Sequence, residues 1–118
     1  MYNAHVNVLG LMSGTSLDGM DAAVVQFSED PKTKWKLLYF KCLPYPEALK
    51  KCIEATYENI HLSAEASTAF AAWTSEVIRS IQVDFDGNID LVASHGQTIF
   101  HKPDQKLTFQ AGCLPEIA

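Results

Sequence analysis

The feature that most constrains how this chain can fold is a polar, glycine-rich turn between two short apolar segments. The apolar segments run from Val6 to Leu11 and from Met20 to Phe27, and the stretch that joins them reads Gly10-Leu-Met-Ser-Gly-Thr-Ser-Leu-Asp-Gly-Met-Asp21. Two apolar segments joined by a tight turn are typical of a β-hairpin. We therefore predict strands at residues 5–11 and 20–27, with the polar turn at the hairpin tip.

Two further segments extend the hairpin into a mixed sheet. Residues 35–43 predict a third strand, with Leu37, Tyr39 and Leu43 on one face, so that the first three strands form an antiparallel meander. Residues 90–94 predict a short strand that follows helical segments. A strand reached through a helical crossover normally lies parallel to an earlier strand, and we expect that arrangement here.

Apolar residues at helical spacing predict two helices between the third and fourth strands. The first helix should begin at Pro46, and the second should be N-capped by Ser63 and end near Gln82. The apolar positions that define the helices are, in chain order, Leu49, Cys52, Ile53, Tyr57, Ile60, Phe70, Trp73, Val77 and Ile81. Residues 106–110 predict a last strand, and Pro115 opens a helix within which the chain stops, so we expect a fragment of a longer protein.

Composition narrows the class of protein and its partners. The chain has 118 residues, 47% of them apolar and 19% charged, which is typical of one folded domain. A net charge of −5 argues against nucleic acid and anionic membranes as partners, and no apolar run is long enough to span a bilayer. The 3 cysteines form no C-x-x-C pair, and the first residues lack a signal peptide, so we expect reduced thiols in the cytoplasm.

The hairpin turn carries the residue types of an anion-binding loop. Thr15 and Ser16 supply hydroxyls, and Gly14 and Gly19 allow a positive φ and close ligand approach. The turn matches neither a P-loop nor a nucleophile elbow, and its spacing alone leaves open a hairpin that is merely rich in turn formers. We interpret it as a loop that holds nucleotide phosphates, with Asp18 suited to hold Mg²⁺ through water.

A second polar segment, His95-Gly-Gln-Thr98, follows the predicted fourth strand directly. Ligands of α/β proteins usually bind beyond the carboxyl ends of strands, and an amide such as that of Gln97 can recognise sugar hydroxyl or acetamido groups. The alternative is a polar turn whose side chains cap backbone groups. A zinc site formed by His95, His101 and Cys113 is disfavoured because these residues lack paired-ligand spacing.

Three segments taken together resemble the anhydro-N-acetylmuramic acid kinase family. They are Gly10 to Asp21, then Ala93-Ser-His-Gly-Gln-Thr-Ile-Phe-His-Lys-Pro103, and then Phe109-Gln-Ala-Gly112, in the order and spacing of the N-terminal part of that family. The resemblance covers essentially the whole chain. It implies an α/β, ribonuclease H-like (actin-like ATPase) fold with two such domains. Residues 1–118 would form the first domain, and the adenosine-binding second domain would be absent.

The resemblance also implies an activity and its cofactors. The family uses ATP, Mg²⁺ and water to open the 1,6-anhydro ring of anhydro-N-acetylmuramic acid and to phosphorylate O6. The product, N-acetylmuramate 6-phosphate, is an intermediate of peptidoglycan recycling in the cytoplasm. By match to the family motif, the ATP phosphate loop would consist of Gly14, Thr15, Ser16, Leu17, Asp18, Gly19, Met20 and Asp21. The sugar site would include His95, Gln97 and Thr98.

Two differences from the family pattern bear on the activity of this chain. The family reads Gln-Ile-Gly-Asp where this chain reads Gln110-Ala-Gly-Cys113, so a thiol replaces a carboxylate. Family members are also considerably longer, and the region that carries their catalytic aspartate has no counterpart here. The expectation is that no residue of this chain is catalytic and that the isolated chain is inactive.

Two other classes of function stay open at this stage. One is a non-catalytic module that binds a sugar or a nucleotide. The other is a hydrolase with Ser16 as nucleophile and His95 as base, although nothing in the sequence fixes that geometry. Half of an actin-like fold would leave apolar surface uncovered, so we also expect the chain to form homo-oligomers.

Overall fold

The computed structural model of the chain describes residues 5–13, 18–29, 32, 34–94, 97–102 and 107–111. Its elements are β1 (His5–Ser13), β2 (Gly19–Ser28), β3 (Trp35–Pro44), α1 (Glu47–Glu58), a 3₁₀ turn (Ile60–Leu62), α2 (Ser63–Asp84), β4 (Leu91–Ser94), β5 (Gln97–Lys102) and β6 (Leu107–Ala111). Four strands form one sheet in the order β3-β2-β1-β4, in which β1 and β4 are parallel and the other pairs are antiparallel. The predicted meander, helical crossover and parallel strand are confirmed, and the architecture is consistent with an actin-like, ribonuclease H-like region.

Hydrogen bonds at the start of β4 fix its position beside β1. The Asn7 amide donates to the Asp90 carboxylate at 2.8 Å, and the Asp90 amide donates back to the Asn7 carbonyl at 2.9 Å. The Asn7 side chain also donates to the carbonyl of Asn88 at 2.8 Å. These bonds set the parallel register in which Leu11 lies opposite Ser94.

The core lies between one face of this sheet and the two helices. The strands contribute Leu9, Leu11, Met20, Ala22 and Val24, and the helices contribute Leu49, Ile53, Ala66, Phe70, Val77 and Ile81. Alternate strand residues and helical residues three or four apart supply these side chains, and of these two patterns the helical spacing was predicted from the sequence. We refer to the covered side of the sheet as the inner face and to the other side as the outer face.

Helix α1 corrects one predicted core position. Tyr57 was expected in the buried stripe, but it is 42% exposed, and Thr56 is fully buried instead. The Thr56 hydroxyl donates to the Cys52 carbonyl at 3.2 Å, one helical turn earlier. Because this bond satisfies the hydroxyl inside the helix, a threonine can occupy a core position at little cost.

A β-bulge in β3 corrects a second prediction. Val24 lies opposite Tyr39, but Val25 lies opposite Leu37, so Leu38 has no partner on β2. An unpaired residue reverses the facing of the side chains beyond it. Leu37 is therefore 50% exposed on the outer face, whereas Leu38 and Tyr39 pack against the core, and the three predicted residues do not share one face.

The start of α2 corrects a third prediction. Ser63 was expected to cap the helix from outside, but it is the first helical residue, and Leu62 occupies the N-cap position without a side-chain hydrogen bond. The 3₁₀ turn that ends at Leu62 runs directly into the helix. The chain therefore never adopts the extended conformation that a serine N-cap requires.

The C-terminal elements differ from prediction in one strand. β5 was not predicted as a strand and pairs with β6 in a separate two-stranded antiparallel sheet. β6 agrees with the predicted last strand to within one residue, and the helix predicted at Pro115 lies outside the described residues. Within the ranges that the structure describes, no helix is both long and apolar enough to cross a membrane.

The outer face of the four-stranded sheet is apolar and exposed. Strand register places these large exposed side chains on it: Val6, Met12, Phe27, Trp35, Leu37, Phe40 and Leu91. A groove of about 330 Å³ crosses the face and is lined mainly by apolar side chains. Strands that are apolar on both faces are typical of a sheet that is covered on both sides.

Candidate functional site

The two polar motifs of the sequence leave the sheet at the same end. β1 ends at Ser13, and β4 ends at Ser94, which lies opposite Leu11 in the parallel pair. The hairpin turn that follows Ser13 and the His95–Thr98 segment that follows Ser94 therefore start beside each other. The carboxyl ends of parallel strands are where α/β sheets usually bind ligands, so this placement supports a shared site.

The structure describes the second half of the predicted phosphate loop, from Asp18 to Asp21, whereas residues 14–17 lie outside it. Asp18 and Asp21 are exposed, and Met20 is buried in the core. Side chains alternate along β2, so Met20 points inward and Asp21 points to the outer face. Met20 can contact a ligand through its backbone but not through its side chain.

Position 19 requires glycine because the backbone of the neighbouring strand β3 lies close to it. It lies opposite Pro44, and a Cβ atom built on Gly19 would be 2.3 Å from the Leu43 carbonyl oxygen and 2.9 Å from the Pro44 Cα. Its φ lies outside the positive range that favours glycine, so the positive φ that a glycine allows is not used here. The glycine instead lets the end of β3 approach the loop closely.

A groove of about 450 Å³ opens beside this part of the loop. Asp18 and Asp21 line it together with Met12, Cys42 and Pro44. Asp21 lies opposite Cys42 across the β2–β3 pair, and the Cys42 thiol donates a hydrogen bond to the Asp21 carboxylate. This bond, followed by desolvation and the negative charge of Asp21, raises the pKa of the exposed Cys42 thiol, so the thiol stays protonated near neutral pH.

Tyr45 connects the loop to the core. Its backbone amide donates to the Asp18 carbonyl at 3.2 Å, and its ring is only 8% exposed. Burial raises the pKa of the Tyr45 phenol, and the Ser13 hydroxyl acts in the opposite direction. Within the part of the chain that the structure describes, the buried Ser13 Oγ has no hydrogen bond of standard geometry. The role of Tyr45 was not predicted from the sequence, in which an aromatic residue between two prolines was the available signal.

The carboxylates of the groove suit one kind of metal site. Among the described residues, no group of three or more histidine, cysteine or acidic side chains gathers as a complete metal site. Mg²⁺ usually keeps several waters and takes only one or two carboxylates together with substrate phosphates. Asp18, which is exposed beside the groove, fits that role without a protein cage.

The predicted sugar-site residues are placed only in part. His95 lies outside the described residues, and Gln97 and Thr98 are the first residues of β5, where they pair with Ala111 and Gln110 of β6. The alternative interpretation of this segment as a polar turn does not hold from Gln97 onward, where the chain is a strand. For the zinc alternative, His101 also lies in β5, and Cys113 is outside the described part of the chain.

Comparison with known proteins gives matches to one family. The family model described as anhydro-N-acetylmuramic acid kinase matches residues 6–118. Proteins named anhydro-N-acetylmuramic acid kinase from Prochlorococcus marinus (strain MIT 9303) and Acaryochloris marina (strain MBIC 11017) are each 40% identical, over 86% and 85% of this chain. One of the same name from Xanthomonas oryzae pv. oryzae (strain MAFF 311018) is 36% identical over 93% of it.

The matched regions make up 27%, 28% and 32% of those three relatives, so the chain spans roughly a quarter to a third of their length. The match of the family model over almost all of the sequence, together with this fold, shows that the chain belongs to the anhydro-N-acetylmuramic acid kinase family.

Proposed function

We propose that the loop from Gly14 to Asp21 holds the phosphates of ATP. The observation that carries the proposal is the common origin of this loop and the His95–Thr98 segment at neighbouring strand ends, in a chain of this kinase family. Backbone amides and the hydroxyls of Thr15 and Ser16 are suited to donate to phosphate oxygens. A Mg²⁺ ion held through water by Asp18 would offset negative charge on the phosphates.

We propose that the longer protein phosphorylates 1,6-anhydro-N-acetylmuramic acid on O6 as its anhydro ring is opened by water, which yields N-acetylmuramate 6-phosphate. In that reaction the loop would fix the phosphates in line with the attacking oxygen. His95, Gln97 and Thr98 would bind the sugar through hydrogen bonds, and Cys113 would adjoin them in place of the family's carboxylate. A carboxylate base that activates water would come from another part of the relatives' length, so this chain alone should not catalyse the reaction.

We further propose that the protein works in the cytoplasm, in the recycling of peptidoglycan. The support is chemical: Cys42 and Cys52 are free thiols, which a reducing compartment maintains. A sugar kinase also needs the ATP supply of that compartment.

Calorimetry with Mg·ATP tests the phosphate loop. We expect the 118-residue chain to bind Mg·ATP and Asp18→Asn to weaken binding about tenfold or more at low magnesium, because the amide cannot hold the ion's waters as a carboxylate does. Asp86→Asn removes an exposed carboxylate from the turn after α2 and should leave binding unchanged. Equal affinities of Asp18→Asn and Asp86→Asn for Mg·ATP would contradict the role of Asp18. No binding of Mg·ATP by the wild-type chain would contradict the proposal that the loop holds phosphates.

The same preparation separates the kinase from the two alternatives. Binding of Mg·ATP or the anhydro sugar without turnover would be expected both from a part of the kinase and from a non-catalytic binding module. Turnover by the longer protein that contains this chain decides for the kinase. The hydrolase alternative requires ester cleavage that Ser16→Ala abolishes. Absence of cleavage by the wild-type chain removes that alternative.

We also propose that the isolated chain self-associates through the outer face of the sheet. The apolar side chains there are large and exposed, and Phe40, midway along β3, is 56% exposed. Phe40→Asp should shift the sedimentation distribution toward the monomer, because it places a charge in the apolar groove. Val83→Asp alters an exposed apolar residue of α2, away from the outer face, and should leave the sedimentation distribution unchanged. A wild-type chain that is monomeric at high micromolar concentration would contradict the proposal.

A further inference from the structure

The outer face of the four-stranded sheet carries no helix within the described part of the chain. Both α1 and α2 pack on the inner face, where their side chains join the core. Strand register nevertheless places only one charged side chain of the four strands, that of Asp21, on the outer face. A sheet with parallel strands and two apolar faces is normally covered by helices on both sides.

The middle of the outer face is a shallow trough with small residues along its floor. Strand register places Ala23 of β2, Gly10 of β1 and Ala93 of β4 side by side in one row. Phe40 of β3 closes the row at one end, opposite Ala23. Neighbouring strands are about 4.8 Å apart, so a row across three strands is about 10 Å long, close to the diameter of a helix.

The described chain gives no packing reason for glycine at position 10. A Cβ atom built on Gly10 would meet no described atom closer than the Ala23 carbonyl oxygen at 3.9 Å, and its φ lies outside the positive range. A glycine within a strand weakens the strand and often marks a point where another backbone approaches closely. At Gly19 the approaching backbone is that of β3. At Gly10 no described segment takes that place.

The length of the relatives indicates where a covering segment comes from. The matched regions make up only 27%, 28% and 32% of the three relatives, so most of their polypeptide has no counterpart in these residues. A segment joined covalently to the sheet has an effective concentration in the millimolar range, which a second copy at micromolar concentration does not reach. Cover from the same polypeptide is therefore favoured over self-association whenever that segment is present.

We propose that, in the longer protein, a helix from outside residues 1–118 packs on the outer face, with its backbone closest to Gly10. Such a helix carries an apolar stripe of residues three or four apart, which fits the apolar groove. The isolated chain self-associates because the same face is then bare. The inference depends on the apolar face and on the length of the relatives, and it is independent of the function proposed for the phosphate loop.

Two matched cysteine variants of the longer protein measure whether the face is covered. Val25→Cys places a thiol in the groove, and Val83→Cys places one on α2, away from the outer face. Both are labelled with iodoacetamide, and peptide mass spectrometry separates the new thiols from the native cysteines. We expect Val25→Cys to react at least about tenfold more slowly than Val83→Cys, at a rate that does not change over about a 100-fold range of protein concentration. In the dilute 118-residue chain this difference should shrink, because the groove is open.

Equal labelling rates of the two variants in the longer protein would show an open face and overturn the proposal. Protection of Val25→Cys that increases with protein concentration would assign the cover to a second copy and would overturn it as well.

Gly10→Leu tests the close approach of the helix. The side chain projects into the trough, which has room for it in the 118-residue chain, so the urea midpoint of that chain should not fall. In the longer protein it pushes the helix away, and labelling of Val25→Cys should rise about tenfold. Gly10→Ala should act in the same direction to a smaller extent, and Val83→Leu, which enlarges an exposed side chain of α2, should have no effect. Unchanged labelling in both Gly10 variants would refute the approach at this position.

Photochemical cross-linking identifies the covering segment. A benzophenone maleimide is attached to the thiol of the Val25→Cys variant of the longer protein, and the cross-linked peptides are sequenced by mass spectrometry. We expect cross-links within one polypeptide to residues three or four apart, outside residues 1–118, which is the spacing of a helix face. Cross-links to alternate residues would indicate a strand, and cross-links between two copies would indicate self-association. Either result would overturn the proposed helix.

Discussion

Replacement of Gly19 by alanine tests the contact between the phosphate loop and the end of β3. The new Cβ would lie 2.3 Å from the Leu43 carbonyl oxygen, 2.9 Å from the Pro44 Cα and 3.0 Å from the Leu43 carbonyl carbon. All three are backbone atoms, so no side chain can rotate to relieve the overlap. Ordinary contact begins near 3.4 Å, so β3 must move away by about 1.1 Å, which is 3.4 minus 2.3.

The energetic cost follows from that displacement. Forced overpacking typically costs about 1–3 kcal/mol, and a shift of β3 also strains the hydrogen bond from Tyr45 to Asp18, worth about 1 kcal/mol. Alanine offsets about 0.4–1 kcal/mol of this loss of stability because it restricts the unfolded chain more than glycine does. We therefore expect Gly19→Ala to lower the free energy of unfolding by about 2 kcal/mol.

Gly10→Ala is the matched control. Gly10 also lies in a strand of the same sheet, but the nearest atom to its built Cβ is the Ala23 carbonyl oxygen at 3.9 Å. The substitution keeps the unfolded-state gain without the overlap, so it should be neutral or slightly stabilising.

Urea denaturation followed by circular dichroism measures both variants. With a slope of about 1–3 kcal/mol per molar urea, Gly19→Ala should lower the midpoint by roughly 1 M relative to Gly10→Ala. Equal midpoints would refute the argument that close approach of β3 dictates glycine here. A change in Mg·ATP affinity without a change in midpoint would locate the role of Gly19 in ligand contact instead.

Three further outcomes are expected. Asp21→Asn should lower the pKa of the Cys42 thiol and speed its alkylation by iodoacetamide at pH 8, followed by peptide mass spectrometry; an unchanged rate would contradict the hydrogen bond between them. Burial and Asp84 raise the pKa of Tyr39, so the protonated phenol contributes to stability below about pH 10, and this contribution is lost as the pH rises above about 10. Tyr39→Phe should therefore flatten the fall of the denaturation midpoint above about pH 10. Phe70→Ala should cost about 3–5 kcal/mol in the same denaturation assay, and a cost below 1 kcal/mol would place Phe70 outside the core.

The architecture could be predicted from the sequence because its signals are local. Helical spacing from Leu49 to Ile81 placed most of the buried helix residues on the face where the structure has them. The parallel pairing of β4 followed from the helical crossover before it. The family motif identified the loop as a whole. No pattern within the loop predicted the structural reason for each of its residues.

What escaped prediction depends on contacts between distant segments. The bulge at Leu38 arises from how β3 fits β2, and the sequence of β3 alone reads as regular alternation. Position 19 requires glycine because the Leu43 carbonyl oxygen approaches it closely, and the backbone amide of Tyr45 donates a hydrogen bond to the Asp18 carbonyl. The capping role of Ser63 failed because a 3₁₀ turn precedes the helix, which residue preferences did not indicate.

The bulge at Leu38 also bears on how this sheet can meet other molecules. In the described sheet, β3 is an edge strand, and its free backbone groups could template an added strand from another chain. A bulge increases local twist and interrupts the ladder, which is a common way to block such addition. The opposite edge, β4, is only 4 residues long. With both edges poor templates, we expect contact with another protein surface to use the apolar outer face, so that assembly would occur by face packing and not by fibre-like strand addition.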